Sequence, residues 1–479
     1  MMKKNETFTA TAAGYTFEGQ GVVHHAGMAF FVPRLIPGET AELSVTSLKK
    51  NYGYARIVRL LDPSPERREP VCPVYRPCGG CQLMHMSYEE QLRFKQNKIR
   101  ECFRKNAGME IEPLPVLSVP PQFNYRNKVQ VPAGIRNGRV VTGFYRNHTN
   151  EIVPYDACAA QSSLSNEIVA FLRSVLEESG EVKEVRWIMV KHAHRTGQVM
   201  VCFIVRHDVF SNRPDTVEKL VAAFPKIRSV SLIVNNREDN VILSAPEKIL
   251  YGDAFIEEKL MDCTFRISAH SFYQVNPYAT EVLYGTALEY ADLQPDKVLV
   301  DLYCGTGTIG LLCARKVKKV YGIEIVPDAV RDARVNAEIN GIDNIEFLTA
   351  DANKGARILI QNRIRPDVII VDPPRKGCSR DTLDAIAMMA PERLVYVSCD
   401  PATLARDVRI MQDKGYELKQ VQPVDMFPNT LHIETVVLLS KLHEAKSYVD
   451  VEVKMDELDL TKAESKATYD EIKEWVRER

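Results

Sequence analysis

Asp301-Leu-Tyr-Cys-Gly-Thr-Gly-Thr308 is the stretch whose reading decides the fold. It follows the apolar run 298–302 and precedes a helical pattern from Ile309, so a buried strand turns into a helix at Gly305 and Gly307. Two glycines at such a turn let the backbone approach a nucleotide-like ligand closely. Glu324 closes the next apolar run about 20 residues later, where a carboxylate can take both hydroxyls of a ribose. The third glycine of the dinucleotide fingerprint is missing, and with no pyrophosphate to cradle, S-adenosylmethionine fits better than NAD.

Working outward, apolar runs at 298–302, 320–324, 345–348, 368–371, 394–398 and 434–439 alternate with helical patterns beginning at Ile309 and Pro327. This rhythm predicts an α/β fold with a doubly wound parallel sheet. Three further motifs fall at strand ends. Asp372-Pro-Pro-Arg375 follows a buried strand, and its two prolines fix a rigid loop at the carboxyl edge, where the ligand crevice of such sheets lies. In Ser398-Cys-Asp-Pro401, Asp400 reads as a helix N-cap and Pro401 as the first helical residue. Cys399 is therefore expected at a helix N-terminus, where a thiolate is stabilised and nucleophilic. His432-Ile-Glu434 opens the last apolar strand, so the Glu434 carboxylate is expected at the same edge, able to accept a carbon-bound proton. Asp351, after the run 345–348, reads equally as an adenine acceptor or as a plain turn carboxylate.

The chain has 479 residues and a formal charge of −1, and no apolar run long enough to cross a bilayer, so a cytoplasmic globular protein is expected. The charge is uneven. Residues 1–150 hold 21 lysines and arginines against 12 acidic residues, leaving 41 against 51 for the rest, which suggests an N-terminal polyanion contact. Residues 7–60 read as short strands of a small β-barrel. Its Lys49, Lys50, Tyr52, Tyr54 and Arg56 suit base stacking and phosphate contact, or equally a solvated hairpin with packing tyrosines. A linker is expected from Asp62 to Glu69. A helix at 87–107 follows, opened by the capping box Ser87-Tyr-Glu-Glu90 and ended by Gly108, with Leu92, Ile99 and Phe103 inward. Arg93, Lys95, Lys98, Arg100, Arg104 and Lys105 read as its opposite, solvated or RNA-facing side. Residues 111–262 alternate strands with two helices, an α+β region. The tail, 443–479, is charged and carries no chemical motif.

Cys72, Cys78, Cys81 and the distant Cys158 provide four thiolates, enough for one 4Fe-4S cluster or an all-thiolate zinc site, and the spacing does not separate the two. Cys102, Cys202, Cys263, Cys304, Cys313 and Cys378 are read as packing residues.

Taken together, the Phe272-Tyr-Gln-Val-Asn276 segment, the Asp301 loop, Asp372-Pro-Pro-Arg, Ser398-Cys-Asp-Pro and His432-Ile-Glu resemble, in order, the uracil-5-methyltransferases that modify RNA. The resemblance covers about 7–442. It implies a TRAM-like (OB-type) barrel over 1–62, a cluster-bearing and α+β region over 63–262, and a Rossmann-like S-adenosylmethionine-dependent methyltransferase domain over 263–442. It further implies that Gln274, Tyr303, Glu324 and Asp372 hold S-adenosylmethionine, that Cys399 is the nucleophile and that Glu434 is the base. Thr308 stands where some relatives have Asn. The resemblance favours a 4Fe-4S cluster on the four cysteines and 23S ribosomal RNA as substrate, because the ribosomal branch carries this cysteine pattern and the bacterial transfer-RNA branch generally lacks it. Transfer RNA, cytosine C5 methylation, and a non-catalytic cluster-bearing RNA-binding protein are the alternatives.

Overall fold

The computed structural model describes residues 2–147, 149–239 and 241–442; the charged extension at 443–479 lies outside them. Short strands with alternating burial open the chain. Thr7–Thr11, Thr40–Leu48, Tyr52–Asp62, Met28–Pro33, Gln20–His25 and Gly14–Tyr15 pair in that order into one six-stranded sheet. The side chains alternating to its inner face, among them Val23, Phe30, Val32, Leu43 and Val45, form its core. Gly53 is required there, since a Cβ would lie 2.5 Å from the Phe30 ring.

The expected linker is folded back on the barrel rather than loose. The buried Glu39 carboxylate accepts from Ser64 N–H, Ile36 N–H and the Arg67 guanidinium, a fork that satisfies both oxygens.

The central region is a seven-stranded sheet, antiparallel except where Val199–Val205 runs parallel to Ile227–Val234. Helices Ser163–Ser179 and Arg213–Ala223 pack on one face. The hairpin Phe255–Leu260/Cys263–Ser268 then leads into the last sheet.

We number the strands of that sheet β1 (Val298–Leu302), β2 (Lys319–Glu324), β3 (Ile345–Thr349), β4 (Val368–Val371), β5 (Arg393–Ser398), β6 (Tyr416–Val424) and β7 (Glu434–Lys441). Their spatial order is β3-β2-β1-β4-β5-β7-β6. The first five are parallel, and the central β1, β4 and β5 are almost wholly buried because both faces are covered, by two separate cores. β7 departs from the expected all-parallel sheet, entering antiparallel between β5 and β6 with Ser398 opposite Thr435. Strand order reverses between β1 and β4, which opens a crevice at their carboxyl ends.

Helix Tyr88–Ala107 is capped by Ser87 Oγ, which accepts from Glu90 N–H, and by left-handed Gly108. The reciprocal half of the capping box is not made, because Glu90 instead accepts from Tyr15 Oη at 2.8 Å. Ile99, Phe103 and Ala107 join the core of the last sheet, so this helix covers the C-terminal layer. Its cations are largely engaged. Arg93, Arg100, Arg104 and Lys105 pair with nearby glutamates. Lys95, expected on the solvated face, is fully buried against Asp425 at 2.5 Å. A buried ion pair of this kind is worth little over an apolar pair, but removing one partner strands the other charge.

Candidate active site

The crevice between β1 and β4 is a cleft of about 470 Å³. On the β1 side, Gly305 and Gly307 take left-handed backbone (φ 56° and 81°), and a Cβ at Gly307 would press on the Phe347 ring at 3.0 Å. Tyr303, itself at φ 66°, lines the cleft together with Thr306 and Thr308, while its ring packs against the core that holds Cys378. Asp301 sits at the floor, with Oδ2 accepting from Gly310 N–H at 2.8 Å and buried Oδ1 left without a partner. Burial pushes its carboxyl up to about 8. Gln274 is buried on the cleft wall, and its carbonyl accepts from Asn127 Nδ2 at 3.2 Å. Two residues on, Asn276 caps helix Pro277–Ala291 and donates to Met426 O. Glu324 stands just behind the lining, its carboxylate accepting from Gly305 N–H (3.1 Å) and Val326 N–H (2.9 Å). Asp351 caps helix Ala352–Gln361, its side chain accepting from Asn353 N–H.

At the other end, Cys399, Asp372, Arg375, Phe427, His432 and Glu434 face one another across the same cleft. Cys399 follows β5 directly; Glu434 reaches it because β7 is antiparallel, which places the first residue of β7 at the carboxyl end of β5. The expected thiolate is corrected here. Asp400 Oδ1 accepts from Ala402 N–H and Thr403 N–H, so the helix donors are already satisfied and are not offered to the thiol. Burial, with the Glu434 and Asp372 carboxyls beside it, pushes the Cys399 thiol up to about 11, and Arg375 only partly opposes them. Burial likewise raises Asp372 to about 7 and holds Glu434 well above the usual carboxylate range. His432 falls to about 4 through burial and the neighbouring Arg375, leaving it neutral. Among the described residues, Arg375 is the only guanidinium or ammonium lining this wall. A cleft lined by three carboxyls and two thiols, with one orphaned carboxylate oxygen and a glycine cradle, fits a ligand that carries positive charge and a ribose, as S-adenosylmethionine does.

Sequence reading did not find Tyr284 and Phe427. Tyr284 is buried against Gln274 and Asp372, and Phe427 closes the wall beside His432. Their signal is tertiary, since neither stands in a motif.

The four cysteines come together although Cys158 is distant in sequence. Cys72, Cys78, Cys81 and Cys158 ring one small cavity of about 90 Å³, with Tyr75, Arg126, Tyr155 and Thr430. All four are half-buried and free of disulfides. Burial, and then the neighbouring thiols, push Cys81 up to about 12; Cys78 and Cys158 are raised for the same reasons. Among the described residues, no three His, Cys, Asp or Glu side chains are set to hold a single metal ion. The six cysteines assigned to packing are all buried, although Cys304 also touches the cleft.

A family model for tRNA (uracil-5-)-methyltransferases matches residues 87–442, beginning at the cap of the helix over the last sheet. An uncharacterized RNA methyltransferase of Oceanobacillus iheyensis is 44% identical over 449 residues, covering 92% of this chain and 97% of that protein. One from Clostridium tetani is 40% identical over 453 residues, covering 93% and 98%. The crystal structure of the Pyrococcus abyssi tRNA (uracil-54, C5)-methyltransferase in complex with S-adenosyl-L-homocysteine aligns at a TM-score of 0.71 and 28% identity, covering 90% of this chain and 99% of that one. With the glycine cradle and the facing thiol and carboxylates in place, the chain belongs to the tRNA (uracil-5-)-methyltransferase family and is an S-adenosylmethionine-dependent RNA methyltransferase.

Proposed function

We propose that the protein methylates carbon 5 of uracil in 23S ribosomal RNA. The observation that carries the reading is the meeting of Cys399 and Glu434 on one cleft wall, beside the glycine cradle. Gln274, Tyr303, Glu324 and Asp372 hold S-adenosylmethionine, which supplies a methyl group on a positively charged sulfur. Uracil C5 is too weak a nucleophile to take a methyl group unaided. Cys399 gives its proton to solvent water and adds to C6 as the thiolate, and the electrons of the C5–C6 double bond pass through C5 toward the O4 oxygen as an enolate. After C5 has gained its methyl group, Glu434 takes the remaining C5 proton, the Sγ–C6 bond breaks, and the double bond is restored with a free thiolate. Arg375 faces both groups and favours the charged forms that these steps need. The target base reaches the cleft only when flipped from its stack, at a cost of a few kcal/mol.

The barrel, which we take as a TRAM domain, and the exposed cations beside it hold the RNA by stacking and phosphate contact; Phe31, Tyr52 and Tyr54 form one aromatic group there. Cys72, Cys78, Cys81 and Cys158 hold a 4Fe-4S cluster with a structural role; four thiols gathered around one small cavity suit an iron core. The cysteine pattern supports ribosomal RNA. Transfer RNA is the second reading, favoured by the likeness to the archaeal transfer-RNA enzyme. Mapping 5-methyluridine in ribosomal and transfer RNA from a strain lacking the gene, with and without a plasmid copy, tests both. A mark lost only from 23S RNA is expected; loss from transfer RNA alone selects the second reading, and no lost mark rejects both.

A further inference from the structure

Residues 425–433 join β6 to β7 and give the cleft Phe427 and His432 just before the chain reaches Glu434. Such a connection is usually the most mobile part of a site. Here it is pinned from outside the cleft. Lys95 donates to Asp425 Oδ1 at 2.5 Å and to the Phe427 carbonyl at 3.0 Å, and Tyr88 Oη donates to Asp425 Oδ2 at 2.8 Å. Lys98 donates to the Leu431 carbonyl at 3.0 Å. Between these points Gln91 and Asn429 form a reciprocal clasp. Gln91 Nε2 donates to Asn429 Oδ1 at 3.2 Å, while Gln91 Oε1 accepts from Asn429 N–H at 2.9 Å.

Asn429 uses its remaining groups as well. Its carbonyl accepts from Gln82 N–H (3.1 Å) and Leu83 N–H (3.0 Å), and its Nδ2 donates to the Gln122 carbonyl (3.1 Å). The left-handed backbone at Asn429 (φ 67°) makes this possible. Gln82 follows Cys81 directly, and Thr430 lies on the wall of the four-cysteine cavity. Neither Gln91, Asn429 nor Lys95 lines the cleft.

We infer that Gln91 and Asn429 are positioning residues: their clasp holds Phe427 and His432 as a fixed wall against which the uracil ring meets Cys399. The inference rests on the uracil reading above. The helix thereby links the outer, cation-bearing surface to the base-receiving end of the cleft, and the cysteine segment grips the same loop through the Gln82–Leu83 peptide groups. Loosening the clasp slows the addition of Cys399 to the base while leaving capture of RNA and of S-adenosylmethionine intact.

The test uses Glu434→Gln protein, in which the RNA adduct accumulates, and total RNA from a strain lacking the gene. Asn429→Gly keeps the left-handed backbone and its carbonyl but removes the side chain; Gln91→Leu removes the partner. Each should slow formation of the denaturation-resistant adduct about 10- to 100-fold, as small misplacements of reacting groups do. Dissociation constants for RNA and S-adenosylmethionine should stay within about twofold, and the double variant should lose little beyond either single one, because one interaction is removed in all three. Unchanged adduct formation, or cofactor binding that weakens in step with it, overturns the inference. If Asn429→Gly does not fold, Gln91→Leu decides. If Glu434→Gln alone yields no adduct, the base assignment fails instead, and the clasp is then judged by turnover in an otherwise unaltered chain: a fall at unchanged dissociation constants upholds it, and unchanged turnover rejects it.

Discussion

The cleft and the four-cysteine cavity both place thiols where a thiolate is disfavoured, but for different reasons. At Cys399 the opposition comes from burial and then from carboxyls, with Arg375 as a counterweight, and the thiol opens onto about 470 Å³ of space. At Cys81 it comes from burial and then from the other thiols, around about 90 Å³. Room for a second reactant beside one thiol suits reaction. Four thiols around a small cavity suit permanent ligation.

The sharpest way to break this contrast is Cys399→Ala. Methyl transfer should fall below about a thousandth of the unaltered rate, as when a covalent nucleophile is removed, while calorimetry should show S-adenosylmethionine binding unchanged. Retained turnover would remove Cys399 from the reaction. Glu434→Gln should slow turnover by about 10²- to 10⁴-fold, with a denaturation-resistant RNA adduct visible on gels; normal turnover without adduct places the base elsewhere.

The two thiol environments also separate by pH. With Cys399 raised to about 11, its reactive form is scarce at neutral pH. Alkylation of Cys399 by iodoacetamide, followed by peptide mass spectrometry, should climb about tenfold per pH unit from pH 8 to 10. Arg375→Met should lower the rate at each pH, since the guanidinium favours the thiolate. A plateau below pH 8 would show a preformed thiolate and contradict the environment described.

For the cavity, anaerobically purified protein should be brown with about four irons per chain. Cys81→Ser should lose iron and solubility, and weaken RNA binding by about tenfold, more than cofactor binding, as loss of a ligated site that ties distant segments predicts. Colourless protein with stoichiometric zinc refutes the cluster. The smallest effect belongs to Arg104→Ala on the exposed helix face. It should leave Tm unchanged and cost RNA affinity about two- to fivefold at low salt, fading as salt rises; no change at any salt would take this face out of the RNA contact.

Much of this was legible in the sequence, for a physical reason. Strands such as Val298–Leu302 and Val368–Val371 are apolar but for Asp301 because both faces are covered, so sequence reading places them at the same bounds. Asp400 and Pro401 likewise mark a helix start locally. What escaped depends on partners far away in the chain. Lys95 reads as one cation in a charged face, yet its acceptor, Asp425, lies 330 residues on. The charge state of Cys399 escaped too, because Asp400 takes the helix donors and Asp372 and Glu434 arrive from other strands. The resemblance to a family pointed to Cys399 and Glu434, the pair we propose reacts. The reason they meet, an antiparallel β7, is a topological fact that no local pattern encodes.

That reversed strand also sorts what can vary from what cannot. β5 and β7 are paired from Arg393 opposite Ser440 to Ser398 opposite Thr435, and Cys399 and Glu434 are the next residues beyond that ladder on each strand. The ladder thus brings both residues to one end of two adjacent strands, a register built into the backbone. The surfaces that we propose meet the RNA lie elsewhere, on the barrel and the cations beside it. On that proposal, sequence drift there exchanges one RNA target for another while the register of Cys399 and Glu434 stays fixed.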